Sequence, residues 1–274
     1  MKLSEMKQVL AERGIRLTKS LGQSFLHDGN QLRRISDAGR LTREDRVLEI
    51  GPGLGPLTEV LLARAGSVLA IEKDRRLANV LRERFSDEAR FALAEGDALE
   101  YVRQERDWRG WKSVSNLPYS VASPILVELT QAGTGPELIV ATLQLEVARR
   151  ILASAGDPNY GILTLLLQLR YRPGDHFRIP ASCFYPAPDV DSACLVLERR
   201  SRPLLDGEQA AAFKRVVKRA FSQRRKMMLK LLREEWPGEQ LADVFGRLGL
   251  SPQTRAEAVS LEQFVRLTEE LTAT

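Results

Sequence analysis

The run Val47-Leu48-Glu49-Ile50 ends in Gly51-Pro52-Gly53-Leu54-Gly55, three glycines spaced two apart, and Pro56 suits the first turn of a helix opening there. Glycines at such a turn let a backbone approach a ligand closely, and helix-start N–H groups can face its polar atoms. Glu72 closes the next apolar run, 21 residues after Gly51, where a nucleotide-binding sheet holds a carboxylate for two ribose hydroxyls. Asp97, in Glu95-Gly96-Asp97-Ala98, closes the third run and suits an adenine amino group. Each piece alone has a plainer reading: a tight connection, a surface or helix-start charge, a turn residue. In register at one rim, the three point to a single nucleotide site.

The spacing also bears on which nucleotide. The dinucleotide fingerprint G-x-G-x-x-G requires glycine at position 56, where the chain has Pro56. The order here is E-x-G-x-G-x-G, the form typical of S-adenosylmethionine enzymes, and NAD is the weaker choice. A fourth segment, Asn116-Leu117-Pro118-Tyr119, follows another apolar run. Pro118 stiffens the turn and pushes Leu117 towards an extended conformation. The Asn116 amide oxygen and the Leu117 carbonyl then become two fixed acceptors, with the Tyr119 ring as a flat wall. Such a pair suits an exocyclic amine, whose delocalised lone pair must be turned out of the ring before it can attack. The plainer alternative is a strand-to-helix turn with a packed tyrosine.

What surrounds these segments limits the chemistry. The 274 residues hold 41 Lys+Arg against 36 Asp+Glu, a formal charge of +5. Only His27 and His176 are present, with no HExxH pair, so neither a histidine-ligated metal nor a histidine-based hydrolytic triad is expected. Cys183 and Cys194 make no disulfide framework and suit a reducing cytoplasm. No run is long and apolar enough to span a membrane, and no signal-peptide core is expected at the start.

The elements that must position the four segments follow from periodicity. Val47–Ile50, Val68–Ile71, Phe91–Ala94, the neighbourhood of Val114 and Leu138–Leu143 have the character of buried strands. Between them Leu57, Val60 and Leu61, then Leu77, Val80, Leu81 and Phe85, fall at helical spacing. Such alternation predicts an α/β fold with a parallel sheet covered on both faces. Beyond Pro203 the strand pattern ceases. Phe213, Val216, Val217, Ala220 and Phe221 make one helical stripe, Leu241, Val244, Phe245 and Leu248 another, and Leu261, Phe264 and Val265 a third. The expected division is residues 1–202 for the α/β domain and 203–274 for a small helical one.

With these residues in view, the chain resembles the rRNA adenine N6-dimethyltransferase family, in its small-subunit (16S) branch. The resemblance rests on Leu21-Gly22-Gln23-Ser24-Phe25-Leu26, Glu49–Gly55, Glu72, Gly96-Asp97-Ala98, Asn116–Tyr119 and Phe184-Tyr185-Pro186-Ala187-Pro188-Asp189-Val190-Asp191-Ser192. Ala220-Phe221-Ser222-Gln223-Arg224-Arg225-Lys226 and Arg255-Ala256-Glu257 extend it almost to the end. It implies a Rossmann-like, S-adenosylmethionine-dependent methyltransferase sheet with a C-terminal all-helical domain. It further implies dimethylation of two adjacent adenosines in a hairpin near the 3′ end of 16S rRNA. Ser24, Leu26, Gly51, Glu72, Asp97 and Asn116 are thereby expected at the cofactor, Asn116 and Tyr119 at the target base, and Phe184 stacked on its other face. The family usually has Asn where this chain has Ser24, whose hydroxyl reaches less far.

The basic residues fit an RNA partner. From Lys214 to Arg233 there are nine Lys and Arg and no acidic residue, an electropositive face for a phosphate backbone, although a solvated helix face remains the alternative. Arg13, Arg16 and Lys19 form a second basic group. The expected partner is 16S rRNA or an immature 30S subunit, met in the cytoplasm by a monomer. The competing readings are a 23S rRNA adenine methyltransferase, a non-catalytic RNA-binding or ribosome-assembly factor on the same scaffold, and, more remotely, a dehydrogenase.

Overall fold

The computed structural model describes residues 1–17, 23–104, 107–131, 134–223 and 225–273. The motif residues Leu21 and Gly22 and the basic residues Lys19 and Arg224 lie outside them.

Two compact units form. The first combines Met1–Ala148 with Pro173–Arg199, and the second combines Arg149–Arg172 with Arg200–Thr274. The chain thus leaves the first unit, contributes Arg149–Arg172 to the second, and returns. That excursion corrects the linear division at residue 202. Its cause is visible in the helix Ile162–Gln168, whose residues 163–167 are all buried, so it needs a helical neighbour on more than one side.

In the first unit the strands are β1 (Phe25–Leu26), β2 (Arg46–Ile50), β3 (Ser67–Glu72), β4 (Phe91–Glu95), β5 (Trp111–Asn116), β6 (Leu138–Gln144), β7 (Tyr171–Ile179, shared across the boundary), β8 (Phe184–Tyr185) and β9 (Ser192–Arg199). Seven of them form one sheet in the order β4-β3-β2-β5-β6-β9-β7. The five strands foreseen from apolar runs are its parallel part. The sequence reading missed β9, which pairs antiparallel with β6 from Leu138↔Glu198 to Gln144↔Ser192. It also missed the small β1–β8 pair, Phe25↔Tyr185 and Leu26↔Phe184.

Helices α1 (Leu3–Glu12), α2 (Gly29–Ala38), α3 (Pro56–Leu62), α4 (Arg75–Arg84), α5 (Ala98–Arg103), α6 (Ala122–Gln131) and α7 (Leu145–Leu152) follow in chain order. Asp28, Asp74 and Asp97 each accept backbone N–H bonds at the start of α2, α4 and α5, which satisfies donors the first helical turn leaves free.

Strand order reverses between β2 and β5, and there the sheet opens. Their pairing runs from Arg46↔Trp111 to Leu48↔Ser113, after which the Ile50 N–H turns to the Ser115 hydroxyl at 2.9 Å. A crevice at the carboxyl ends of the strands, beside such a reversal, is the usual ligand site of an open α/β sheet.

The second unit is helical: α8 (Ile162–Gln168), α9 (Gly207–Ala220), α10 (Met228–Leu232), α11 (Gly238–Arg247) and α12 (Leu261–Thr272). The predicted stripes are its core, with Phe213, Val216 and Val217 of α9 and Phe264 of α12 fully buried. The Phe221 ring lies 6.0 Å from Phe264 and 6.2 Å from Tyr160, whose hydroxyl donates to the Val259 carbonyl at 2.9 Å.

Candidate active site

At the carboxyl ends of β2, β3, β4 and β5 lies a cavity of about 330 Å³, lined by Ser24, Gly51, Glu72, Asp97, Asn116, Leu117 and Tyr119 among others. Register explains the convergence. Ile50 pairs with Ile71 and Glu72 with Glu95, so the glycine turn, Glu72 and the Gly96-Asp97 turn leave adjacent strands at one level. Asn116 ends β5 opposite Thr142, and Leu117 donates its N–H to the Thr142 carbonyl at 3.0 Å.

Glu72 is 6% exposed. One of its oxygens accepts the Gly53 N–H at 3.1 Å and the other the Asp74 N–H at 2.9 Å. Burial raises its pKa above the usual value, and these backbone donors oppose the rise. Each carboxylate oxygen keeps a further lone pair for a hydroxyl donor. Behind it Glu49 is 1% exposed and accepts the Thr58 hydroxyl at 2.6 Å. Burial pushes the Glu49 carboxyl up to about 8, with Glu72 adding a smaller repulsion.

Asp97 caps α5 by accepting the Leu99 N–H at 2.8 Å and pairs with the Lys73 ammonium at 2.8 Å. The Lys73 contact is the leading reason its pKa is lowered. Asp97 thus ends its turn as a helix cap and also lines the cavity.

Asn116 holds the most informative geometry. Its amide nitrogen donates to the Ser24 carbonyl at 3.2 Å, which fixes the amide plane. Its oxygen Oδ1 is buried and has no hydrogen-bond partner among the described residues. An orphaned buried acceptor costs about 1–3 kcal/mol, and Asn116 is among the residues that line the cavity. Tyr119 is half-buried, its hydroxyl 2.5 Å from the Ser192 hydroxyl.

Two expected residues lie elsewhere. Leu26 and Phe184, 2% and 3% exposed, face each other across β1–β8 in an apolar cluster with Val47, Val68 and Val114. Neither lines the cavity, and the Phe184 ring is packed in the apolar cluster. The Ser24 side chain, although at the cavity, donates to the Pro186 carbonyl at 2.7 Å, while the Ser24 backbone carbonyl accepts from Asn116.

Gly51 and Gly53, which line the cavity, also meet protein side chains. A Cβ on Gly53 would lie 2.5 Å from Phe25, and one on Gly51 would lie 3.0 Å from Pro118. They make room for protein side chains that close over the turn. Gln23 and Asp74 line the cavity as well, joined by a 3.1 Å hydrogen bond. Asp74 is held at about 2, chiefly by Arg76. Asp74 stands two residues after Glu72 and caps the start of α4, a position the sequence reading did not single out.

The basic groups divide. Arg13 pairs with Glu83, whereas Arg16 and Lys7 line a groove of about 500 Å³ beside Tyr185 and Pro186. In the helical unit Arg215 and Arg219 pair with Glu235 and Glu234, acidic residues just past the all-basic stretch. Lys218, Arg225, Lys226, Lys230 and Arg233 are exposed without a carboxylate partner among the described residues. No group of three His, Cys, Asp or Glu among the described residues is placed to hold a metal ion, and none of their helices is long and apolar enough to cross a membrane.

Comparison with known proteins shows the family. The model of the family described as ribosomal RNA adenine dimethylase matches residues 14–273. Ribosomal RNA small subunit methyltransferase A of Geobacter metallireducens is 38% identical over 267 residues, covering 95% of this chain and 97% of that protein. The protein of that name from Opitutus terrae is 39% identical over 266 residues, covering 93% and 94%. Among solved structures, a dimethyladenosine transferase from Plasmodium falciparum superposes with a TM-score of 0.76 at 25% identity, covering 89% of this chain and 95% of that one. The 23S rRNA methyltransferase ErmE superposes with a TM-score of 0.69 at 29% identity, covering 90% and 99%. With a match over nearly its whole length, the chain belongs to the ribosomal RNA adenine dimethylase family.

Proposed function

We propose that the protein transfers methyl groups from S-adenosylmethionine to N6 of two adjacent adenosines in a hairpin near the 3′ end of 16S rRNA, acting as a cytoplasmic monomer on an immature 30S subunit. The observation that carries the chemistry is Asn116, which lines a nucleoside-sized cavity and whose buried Oδ1 has no partner among the described residues. The choice of small-subunit RNA rests on the relatives, 37–39% identical, that bear that name.

The residues present fit the donor. Glu72 offers two oxygens at the end of β3 for ribose hydroxyls, and Asp97 stands at the end of β4 for an adenine amine. When bound, S-adenosylmethionine supplies a methyl group activated by its sulfonium. The protein's share of the work is orientation. Asn116 Oδ1 and the Leu117 carbonyl accept the two N6 hydrogens, which favours a tetrahedral nitrogen and aims its lone pair. Tyr119 offers the ring a flat wall. Alignment of this kind is worth several kcal/mol, on the order of 7–11 in ideal intramolecular cases. The departing proton becomes acidic as the N–C bond forms and can pass to water. No imidazole is required, and neither His27 nor His176 lines the cavity. A target base inside structured RNA must leave its stack to reach the site.

The test is mass spectrometry of 16S rRNA from undermodified 30S subunits incubated with protein and S-adenosylmethionine. Two N6,N6-dimethyladenosines are expected. In a parallel incubation with 23S rRNA, methylation of that RNA alone would support the resemblance to ErmE instead, and donor binding without turnover on either RNA would support a non-catalytic assembly factor.

A further inference from the structure

Tyr119 and Ser192 come from segments more than seventy residues apart, and their hydroxyl oxygens lie 2.5 Å from each other. Ser192 is fully buried and opens β9, where it pairs with Gln144 at the end of β6. The preceding residue fixes it further. The Asp191 carboxylate accepts the Ala181 N–H at 2.9 Å and the Arg178 Nε–H at 2.6 Å, and the Asp191 carbonyl accepts the Leu145 N–H at 3.0 Å. The Ser192 hydroxyl is thus placed by the sheet and by its neighbours, independently of Tyr119.

Tyr119 has no comparable anchor. It follows Pro118 in a turn, and among the described residues its hydroxyl meets Ser192. A tyrosine ring swings about two torsions, and a bond at its far end removes that freedom.

We propose that Ser192 is a positioning residue for methyl transfer: by holding the Tyr119 hydroxyl it sets the ring as a fixed wall against which the target adenine seats. The inference rests on the adenosine reading of the site. Ser192 touches neither donor nor base, since it does not line the cavity. Its influence reaches the reaction through one hydrogen bond.

A double-mutant cycle tests this. Ser192→Ala and Tyr119→Phe are each expected to lower kcat/KM for 30S substrate about tenfold, as expected when a partly buried hydroxyl loses its partner. The double variant should lose little more, because both single changes delete one bond. The loss should lie mainly in kcat, with the dissociation constant for S-adenosylmethionine within twofold of wild type. Additive losses, or a Tyr119→Phe variant with full kcat, would overturn the assignment. If Ser192→Ala fails to fold, Tyr119→Phe still decides, since it keeps the ring and leaves β9 intact. A wild type that turns over normally beside additive variants removes only the Ser192 role. A wild type inactive on small-subunit RNA removes the function beneath it as well.

Discussion

Gly51 and Pro118 touch across the opening between β2 and β5: a Cβ on Gly51 would sit 3.0 Å from Pro118 Cγ. The glycine turn and the Asn116–Tyr119 turn are therefore two halves of one structure. Gly51 also holds φ at +67°, a left-handed conformation that costs an L side chain about 1–2 kcal/mol. Gly51→Ala should lower the melting temperature by several degrees and weaken S-adenosylmethionine binding at least tenfold, both readable by thermal-shift titration. Gly53→Ala, whose Cβ would lie 2.5 Å from Phe25, should be worse.

Asn116 donates to the Ser24 carbonyl, and its buried oxygen has no partner among the described residues. Asn116→Ala removes both functions and should lower methyl transfer by at least about a hundredfold, the scale of losing a positioned polar group in a reacting site. Donor affinity, measured by calorimetry, should fall only modestly, because Glu72 and Asp97 remain. Near-normal turnover would remove the amine-orienting role.

Glu72→Ala should act in the opposite proportion. Without the carboxylate, the Gly53 and Asp74 N–H groups lose their acceptors and the ribose loses its anchor. Donor affinity should fall by about 2 kcal/mol or more, read as a thirtyfold rise in the calorimetric dissociation constant, whereas kcat at saturating donor should change less. Unchanged affinity would end the ribose assignment.

Glu49 predicts a pH dependence of stability. Its pKa is raised by burial from a usual 4.5 to about 8, so the folded protein holds its proton more tightly than the unfolded chain. The contribution is present in full below 4.5 and is lost as pH rises through about 8, at roughly 1.4 kcal/mol per pH unit within that window. Glu49→Gln keeps an acceptor for the Thr58 hydroxyl and removes the titration. Melting temperatures taken from pH 5 to pH 9 should fall less steeply for the variant, and identical slopes would contradict the shift.

For the RNA face, Lys218→Glu and Lys230→Glu change exposed cations with no carboxylate partner among the described residues. Each should weaken RNA binding at moderate salt and flatten its salt dependence by about one counterion, with donor affinity unaffected. Arg215→Ala should matter less to RNA, since Glu235 already neutralises that charge at 3.3 Å.

The amino-acid order alone determined the parallel strands, because Val47–Ile50, Val68–Ile71 and Leu138–Leu143 are apolar runs bounded by turn residues, and burial on both faces of a sheet demands that composition. It also determined which polar groups leave those strands: Glu72, Asp97 and Asn116 each follow directly on a run, and parallel pairing brings successive strand ends to one rim. What pairs at long range was not legible. The β1–β8 pair is two residues long and β9 carries no helix before it, so nothing local marks Phe184 as core, Ser192 as the partner of Tyr119, or Ser24 as bound to Pro186. The passage of Arg149–Arg172 into the helical unit was hidden for the same reason, since a helix buried along several faces differs from other apolar segments only in its neighbours. Local periodicity reports what a residue needs, burial or solvent. Which distant residue meets that need is settled only when the whole chain packs.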